Sequence, residues 1–447
     1  MKMKQPLFFI CLLLLVIPVF AQDKPLTLPD ALKYALSASQ TAHKAKLDVE
    51  NVEHQIAEVK AGALPTISGS GSLTYNPLLQ LTPIPGELTG QPGTTTLVAF
   101  GQKWNSGANV NLSQNLYNKG VITGLRAANS SREFYRINAQ LTDEQLIEQV
   151  SGIYYQVLVE KHKLNVLDTT IENTARISKV IKGLYESGLA KEIDVDRTTV
   201  NLSNLYAQRQ QILNSITLQE NQLKFAMGME IQTPLTFPPI EFKKILTQGD
   251  TSRPDVNSLT QMQLLRKQGE LLEFKKQSIK AEYYPSLSLS GNYGVQGLGN
   301  SFPMGKGPSV NWFDYASIGL NLKIPIFNGF STRSKVRQAN IEILKMKEDI
   351  DQASLSLNLA YENAATQLKN SLVVLRSQLD NATLAQKVYR NTQSNYNLGL
   401  APLTDLLDAE NALTDANNNY SSALLAYRIA EIQLLKTQGK LKSLLNE

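Results

Sequence analysis

Four short segments of the chain alternate polar and apolar residues with a period of two, whereas most other patterned sequence repeats every three or four positions. From Thr66, the polar set Thr66, Ser68, Ser70, Ser72 and Thr74 interleaves with Ile67, Gly69, Gly71, Leu73 and Tyr75. A later segment sets Ser286, Ser288, Ser290 and Asn292 against Leu287, Leu289, Gly291 and Tyr293. Two more place Ala108, Val110, Leu112 and Leu116 against Asn105, Asn109, Asn111 and Ser113, and Ala316, Ile318, Leu320, Leu322 and Ile324 against Ser317, Asn321 and Lys323. These predict strands over about 64–76, 104–117, 285–296 and 312–326, each of roughly ten residues, the length that crosses a bilayer at a tilt.

The three-four spacing predicts long helices over about 120–184, 192–229, 330–396 and 403–440. One stripe runs through Val336, Ala339, Ile343, Met346, Ile350, Ala353, Leu357, Ala360 and Ala364, and another through Leu406, Ala409, Leu413, Ala416, Tyr420, Ala423, Tyr427, Ala430 and Leu434. Alanine alternating with larger side chains suits close, regular helix contacts. The first long helix would measure roughly 95 Å at 1.5 Å per residue, enough for a rod that spans a compartment.

The two kinds of element recur in the same order, helix, strand, loop, strand, long helix, turn, long helix. Leu125-Arg126-Ala127-Ala128-Asn129 returns as Val336-Arg337-Gln338-Ala339-Asn340, and Tyr185-Glu186-Ser187-Gly188-Leu189-Ala190 returns as Tyr396-Asn397-Leu398-Gly399-Leu400-Ala401 at the same offset. Asp194 then matches Asp405, and Gly228 matches Gly439. The chain thus divides into a first repeat at 22–230, a proline-containing linker at 231–253 and a second repeat at 254–447. The fold class is mainly α with β, built on a duplicated unit with pseudo-twofold equivalence.

The N-terminus and the composition narrow the setting. Lys2 and Lys4 precede an apolar run from Leu7 to Phe20 that ends at Ala21, which predicts a cleavable signal peptide at 1–21. Its removal takes away two lysines and no acid, lowering the net charge from +5 to +3, and takes away Cys11, the single cysteine. Disulfides, thiolate metal sites and a cysteine nucleophile are thereby excluded from the mature chain. The small net charge argues against nucleic acid as a partner. His43, His54 and His162 are dispersed, so they are read as solvent-facing helix residues and no metal or cofactor is expected. No nucleophile-base constellation is present, and an enzyme is not expected. The glycine-rich stretch from Gly291 to Gly307 lacks a phosphate-binding motif and is read as a loop between strands.

Four membrane strands cannot close a barrel, since the smallest such barrels have about eight, and an open edge in lipid leaves backbone groups unsatisfied. The chain must therefore oligomerise, and the strand count alone does not choose among two, three or four copies. Trp104 and Trp312, the only tryptophans, each fall at the start of the second strand of their repeat and suit an interfacial aromatic belt.

The strand openings ALPTISGSG and YYPSLSLSG, the turns SGLAKEID and LGLAPLTDLLDAEN, the duplication and the signal together resemble the TolC family of outer-membrane efflux proteins. That resemblance implies a homotrimer in the outer membrane, with a twelve-stranded β-barrel continuous with a periplasmic α-barrel of coiled-coil helices. It further implies a passive exit duct for a tripartite efflux or type I secretion system, joined through a periplasmic adaptor to an inner-membrane RND or ABC pump. The two turns then become adaptor-docking tips, Gly188, Leu189 and Ala190 with Gly399, Leu400 and Ala401. Asp405 and Asp408 match the paired aspartates that ring the family's entrance and attract cations, and Asp194 and Tyr396 match positions in the links that hold it closed. The basic residue that the family places two after the second tip glycine is Ala401 here, leaving Arg197 or Lys191 as candidate replacements. The alternative from the residues alone is a secreted coiled-coil structural or adhesive protein, and an uptake porin is a third reading.

Overall fold

A computed structural model of the chain describes residues 25–239, 252–303 and 310–446. The signal segment, most of the linker and Gly305-Lys306-Gly307 of the glycine-rich stretch lie outside the described residues. In chain order the elements are α1 (Leu28–Ala38), α2 (Gln40–Ala61), β1 (Thr66–Tyr75), β2 (Leu81–Pro85), β3 (Thr95–Ala99), β4 (Trp104–Tyr117), α3 (Lys119–Glu186), α4 (Glu192–Met227), α5 (Thr260–Ala281), β5 (Ser286–Gly299), β6 (Val310–Lys323), α6 (Ser331–Asn397) and α7 (Leu403–Thr437). No helix among the described residues is long and apolar enough to cross a membrane. Two units form. One comprises Lys44–Leu141 and Asp255–Asn358, and the other comprises Met1–His43, Thr142–Pro254 and Leu359–Glu447.

The first unit holds an antiparallel sheet in the order β1-β4-β5-β6, in which the two repeats are joined by the β4–β5 ladder. Register aligns the alternation of every strand. One row across the sheet is Ile67–Leu112–Gly291–Ile318, and the next is Ser68–Asn111–Asn292–Ser317. One face is therefore apolar and the other polar, because a period of two sends successive side chains to opposite sides. Asn292 Nδ2 donates to Asn111 Oδ1 at 2.5 Å on the polar face.

Three features differ from the sequence expectations. β5 runs on past 296, so Gly297 and Gly299, expected in a loop, belong to it. Aromatic rings from β6 cover two of the β5 glycines: a Cβ on Gly297 would meet the Trp312 ring at 2.7 Å, and one on Gly294 would meet the Tyr315 ring at 2.6 Å. β6 begins at Val310 and stops at Lys323 rather than 326, since Pro325 has no N–H for the ladder. The loop expected between β1 and β4 contains a hairpin, β2–β3. Its Pro83 and Pro85 share a parity, so both missing donors fall on one side of the ribbon, where no partner strand is required. We expect Gly297→Val to displace Trp312 and destabilise the sheet by about 1–3 kcal/mol. A red-shifted tryptophan emission with earlier thermal unfolding would bear this out, whereas an unchanged spectrum would mean the ring does not cover Gly297.

The second unit is helical. Its largest core gathers Ala31, Leu32 and Ala35 of α1 with Ile147, Val150 and Val157 of α3, Leu223 and Met227 of α4, and Ile432 of α7. The α7 stripe buries Tyr420, Ala423, Leu424, Tyr427, Ala430 and Leu434 against Tyr361, Leu368 and Leu375 of α6. His162, expected on the solvent face, is half-buried instead, and burial lowers its pKa. The cause is its place on a helix that is packed on several sides.

All four long helices end in the same way. Gly188 N–H bonds Tyr185 O at 2.9 Å while Leu189 N–H bonds Leu184 O at 2.7 Å, and Gly399 and Leu400 repeat this with Tyr396 O at 3.0 Å and Asn395 O at 2.8 Å. Gly228 with Met229, and Gly439 with Lys440, make the same pair of bonds. This double bond requires a left-handed residue, and the four glycines have φ of 75°, 73°, 74° and 69°. The duplication read from the sequence is thus reproduced hydrogen bond by hydrogen bond.

Candidate functional site

The two turns, α3–α4 and α6–α7, are both in the helical unit. After each left-handed glycine the chain is extended for one residue at the next helix's N-terminus, at Lys191 (φ −93°, ψ 148°) and Pro402 (φ −74°, ψ 162°), and neither side chain caps the helix. Asp194 and Asp405 each occupy the third helical position that follows. A carboxylate there faces the unsatisfied N–H groups and positive end of the helix dipole. The aspartates thus have a local structural reason to stand where the sequence puts them.

Leu189, Leu398 and Leu400 are 72–76% exposed at the turns, while Ala190 and Ala401 are half-buried. Behind them the two hairpins pack together. Ile181 of α3, Leu403 and Leu407 of α7, Val195 of α4 and Tyr396 of α6 form one cluster. Tyr389 of α6 with Leu406 and Ala409 of α7 forms the next, which Tyr396 also touches. Each hairpin is therefore held by leucines of the first turns of α7.

The expected gate residues separate into two groups. Asp194 and Tyr396 are brought together: burial, then the charge of Asp194, push the Tyr396 phenol above its usual pKa. Arg197 lies one turn along α4 from Asp194, with Nη1 3.7 Å from Oδ1, so it pairs within its own helix. Lys191 makes no ion pair among the described residues. Asp405 and Asp408 are both exposed, three residues apart, and neither has an ion-pair partner among the described residues. Asp408 borders an open groove between α4 and α7, lined also by Arg197, Asn201, Thr404 and Asn411. Unpaired exposed carboxylates on one helix face keep a negative field that attracts cations.

Trp104 and Trp312 sit in the sheet. Trp104 pairs with Tyr75 across β1–β4, their rings 4.6 Å apart, and meets Phe302 edge-on at 4.9 Å. Trp312 is opposite Gly297 in the third position of β6.

Sequence reasoning missed Glu410. It is 2% exposed on α7, and Thr174 of α3 lies 2.8 Å from its Oε2. Oε1 has no hydrogen-bond partner among the described residues, and burial pushes the carboxyl up to about 7. The signal was present in LLDAENALT, where Leu406, Leu407, Leu413 and Thr414 stand three or four residues to either side and mark that face as buried.

The helical unit thus carries a duplicated hairpin, and the other unit a four-stranded antiparallel sheet with one apolar and one polar face. A family model described as outer membrane efflux protein matches residues 31–229 and 274–440, and the chain belongs to that family. It is 24% identical over 338 residues to the outer membrane protein TolC of Vibrio cholerae, which covers 75% of this chain and 76% of the relative. Against TolC of Escherichia coli the identity is 19% over 353 residues, covering 75% and 69%. Among solved structures, VceC of Vibrio cholerae matches with a TM-score of 0.71 at 15% identity over 92% of this chain and 96% of that one. The CusC channel matches at 0.69 and 15% over 92% of both. Family membership places the protein in the outer membrane, with its helical part in the periplasm.

Proposed function

We propose that the chain works as a homotrimer, the passive exit duct of a tripartite efflux or type I secretion system. In this assembly three sheets close a twelve-stranded barrel, and the helices form a periplasmic tunnel narrowed at its tips. The observation that carries this reading is the state of the sheet edges. Among the described residues, β1 and β6 have no partner on their outer sides, and every residue of β1 and nearly every residue of β6 is exposed. Ile318, Leu320 and Leu322 on β6 are 60–85% exposed. Such an edge in lipid needs another strand, and pairing β6 of one protomer with β1 of the next supplies it. A second apolar stripe on α6, through Leu355, Leu359, Val373 and Leu384, is 60–74% exposed and gives the helices a surface for neighbouring protomers.

The exposed leucines at the turns suit docking of a periplasmic adaptor, which would in turn recruit an RND or ABC pump. Asp405 and Asp408 from three protomers would set six carboxylates in the entrance, and Asp194 with Tyr396 would brace the neighbouring hairpin. Trp104 and Trp312 are assigned to the membrane interface. Relatives are named for both kinds of export, a solvent efflux pump outer membrane protein, SrpC, and an alkaline protease secretion protein, AprF.

The protein extracted from outer membranes is expected to migrate as a trimer that converts to monomer only on heating, because a closed barrel resists detergent. Migration as a monomer without heating, or recovery in the soluble fraction, would favour the secreted coiled-coil alternative.

A further inference from the structure

Glu410 lies seven residues into α7, about 10 Å from its start at 1.5 Å per residue. Leu406 and Leu407, which hold α7 against α6 and α3, are its i−4 and i−3 neighbours and share its face. A charge at Glu410 therefore lands directly behind the seams that fix both hairpins.

The hydrogen bonds around it favour the neutral acid. Thr174 Oγ1 lies 2.8 Å from Glu410 Oε2 and 2.9 Å from Thr170 O. One hydroxyl proton cannot serve two acceptors. If Glu410 is protonated, its O–H donates to Thr174 Oγ1, which donates to Thr170 O, and every member of the chain is satisfied. If it is ionised, Thr174 must turn its proton to the carboxylate and abandon Thr170 O. Oε1 then becomes a charged oxygen with no donor in a site 2% exposed. Leaving a buried charge unpaired costs far more than leaving a neutral carbonyl unpaired.

Among the described residues, no basic side chain pairs with that charge. On α3, Thr170 bonds Thr414 at 3.1 Å, and the Arg176 guanidinium is engaged with Asn173 Oδ1 at 2.7 Å and Glu172 O at 3.3 Å. From α6 the facing group is the Tyr389 phenol, which burial and the charge of Glu410 both push up and Arg176 pushes down. On α7, Asp408 is turned to the groove with α4, and on α4 Arg197 is paired with Asp194.

We propose that Glu410 is a proton-operated latch on the entrance: its neutral carboxyl locks the α3–α7 seam, and its ionisation loosens the hairpin tips. The latch rests on the channel reading above and adds its regulation. A carboxyl raised from 4.5 to about 7 binds more protons folded than unfolded across that interval. The packing at this seam therefore weakens as pH rises from about 4.5 to about 7 and changes no further above that.

Amide hydrogen exchange on the detergent-solubilised, full-length protein tests this, compared at pH 5.5 and 8.5 after correction for the intrinsic exchange rate. Amides of residues 170–178 and 403–414 should open about tenfold more readily at the higher pH in the wild type, and equally at both in Glu410→Gln. An identical pH response in Glu410→Gln overturns the latch. If that variant does not fold, the wild type alone decides, because exchange that does not rise between pH 5.5 and 8.5 is equally fatal. Bilayer conductance of the same preparations separates the two ideas. Pores whose opening is indifferent to pH in the wild type contradict the latch. A Glu410-dependent exchange step in a protein that forms no pores contradicts the channel reading and leaves the latch as a property of the hairpins.

Discussion

Gly228→Ala is expected to destabilise the protein by about 3 kcal/mol or more, while Gly188→Ala costs only about 1 kcal/mol, although the two glycines do the same local job. Both sit at φ near 75° and close the same pair of helix-ending bonds. Alanine in the left-handed region costs roughly 1–2 kcal/mol at either. The difference lies in what the new methyl group would meet. At Gly188 nothing lies within 4 Å, as is also true of Gly399. At Gly228 a Cβ would stand 2.6 Å from Ala38 O and 2.9 Å from Ser39 Cα, both backbone atoms at the α1–α2 break. Backbone cannot yield as the end of a flexible side chain can, so the α4 terminus and α1 must move apart and open the core around Leu32, Leu223 and Met227. Denaturant unfolding followed by helical circular dichroism measures both. Equal losses would mean that the α1–α4 packing does not have the close approach described.

Asp405→Asn combined with Asp408→Asn is expected to leave stability nearly unchanged and to reduce cation-over-anion selectivity on the order of tenfold. Both side chains are exposed and make no ion pair among the described residues, so little packing depends on their charge. Asp405 contributes only a dipole interaction at the start of α7, worth about 0.3–1 kcal/mol. In the proposed trimer their functional weight would come from concentration: three protomers would gather six carboxylates in a narrow aqueous opening, where the field attracts counter-ions from solution. Reversal potentials in a salt gradient measure the change. Undiminished selectivity in the double variant would move the filter elsewhere in the duct.

Much of the fold was legible because two periodicities are written cleanly in the chain. The alternation in TISGSGSLTY and SLSLSGNY becomes, in register, the polar and apolar rows of the sheet. The repeated glycines at 188, 228, 399 and 439 become four identical helix ends. What escaped was set by contacts across strands and helices. Gly297 looks like a loop residue until Trp312 is laid over it. A run such as LTPIP reads as a turn until both prolines are seen to share one side of a ribbon. At the tips, the sequence drew attention to exposed aspartates through a resemblance, and passed over Glu410 because a glutamate set between Ala409 and Asn411 looks solvated. Only packing against α3 and α6 makes it buried and protonatable at neutral pH.

The single-channel conductance of purified, heat-modifiable protein in a planar bilayer bears most directly on the central claim that the chain forms a trimeric outer-membrane duct narrowed at the helical tips. The account predicts discrete, cation-selective steps that are small at rest and enlarge when the tips are loosened. Trimers that insert and conduct nothing, or that conduct at once as wide unselective pores, would contradict it.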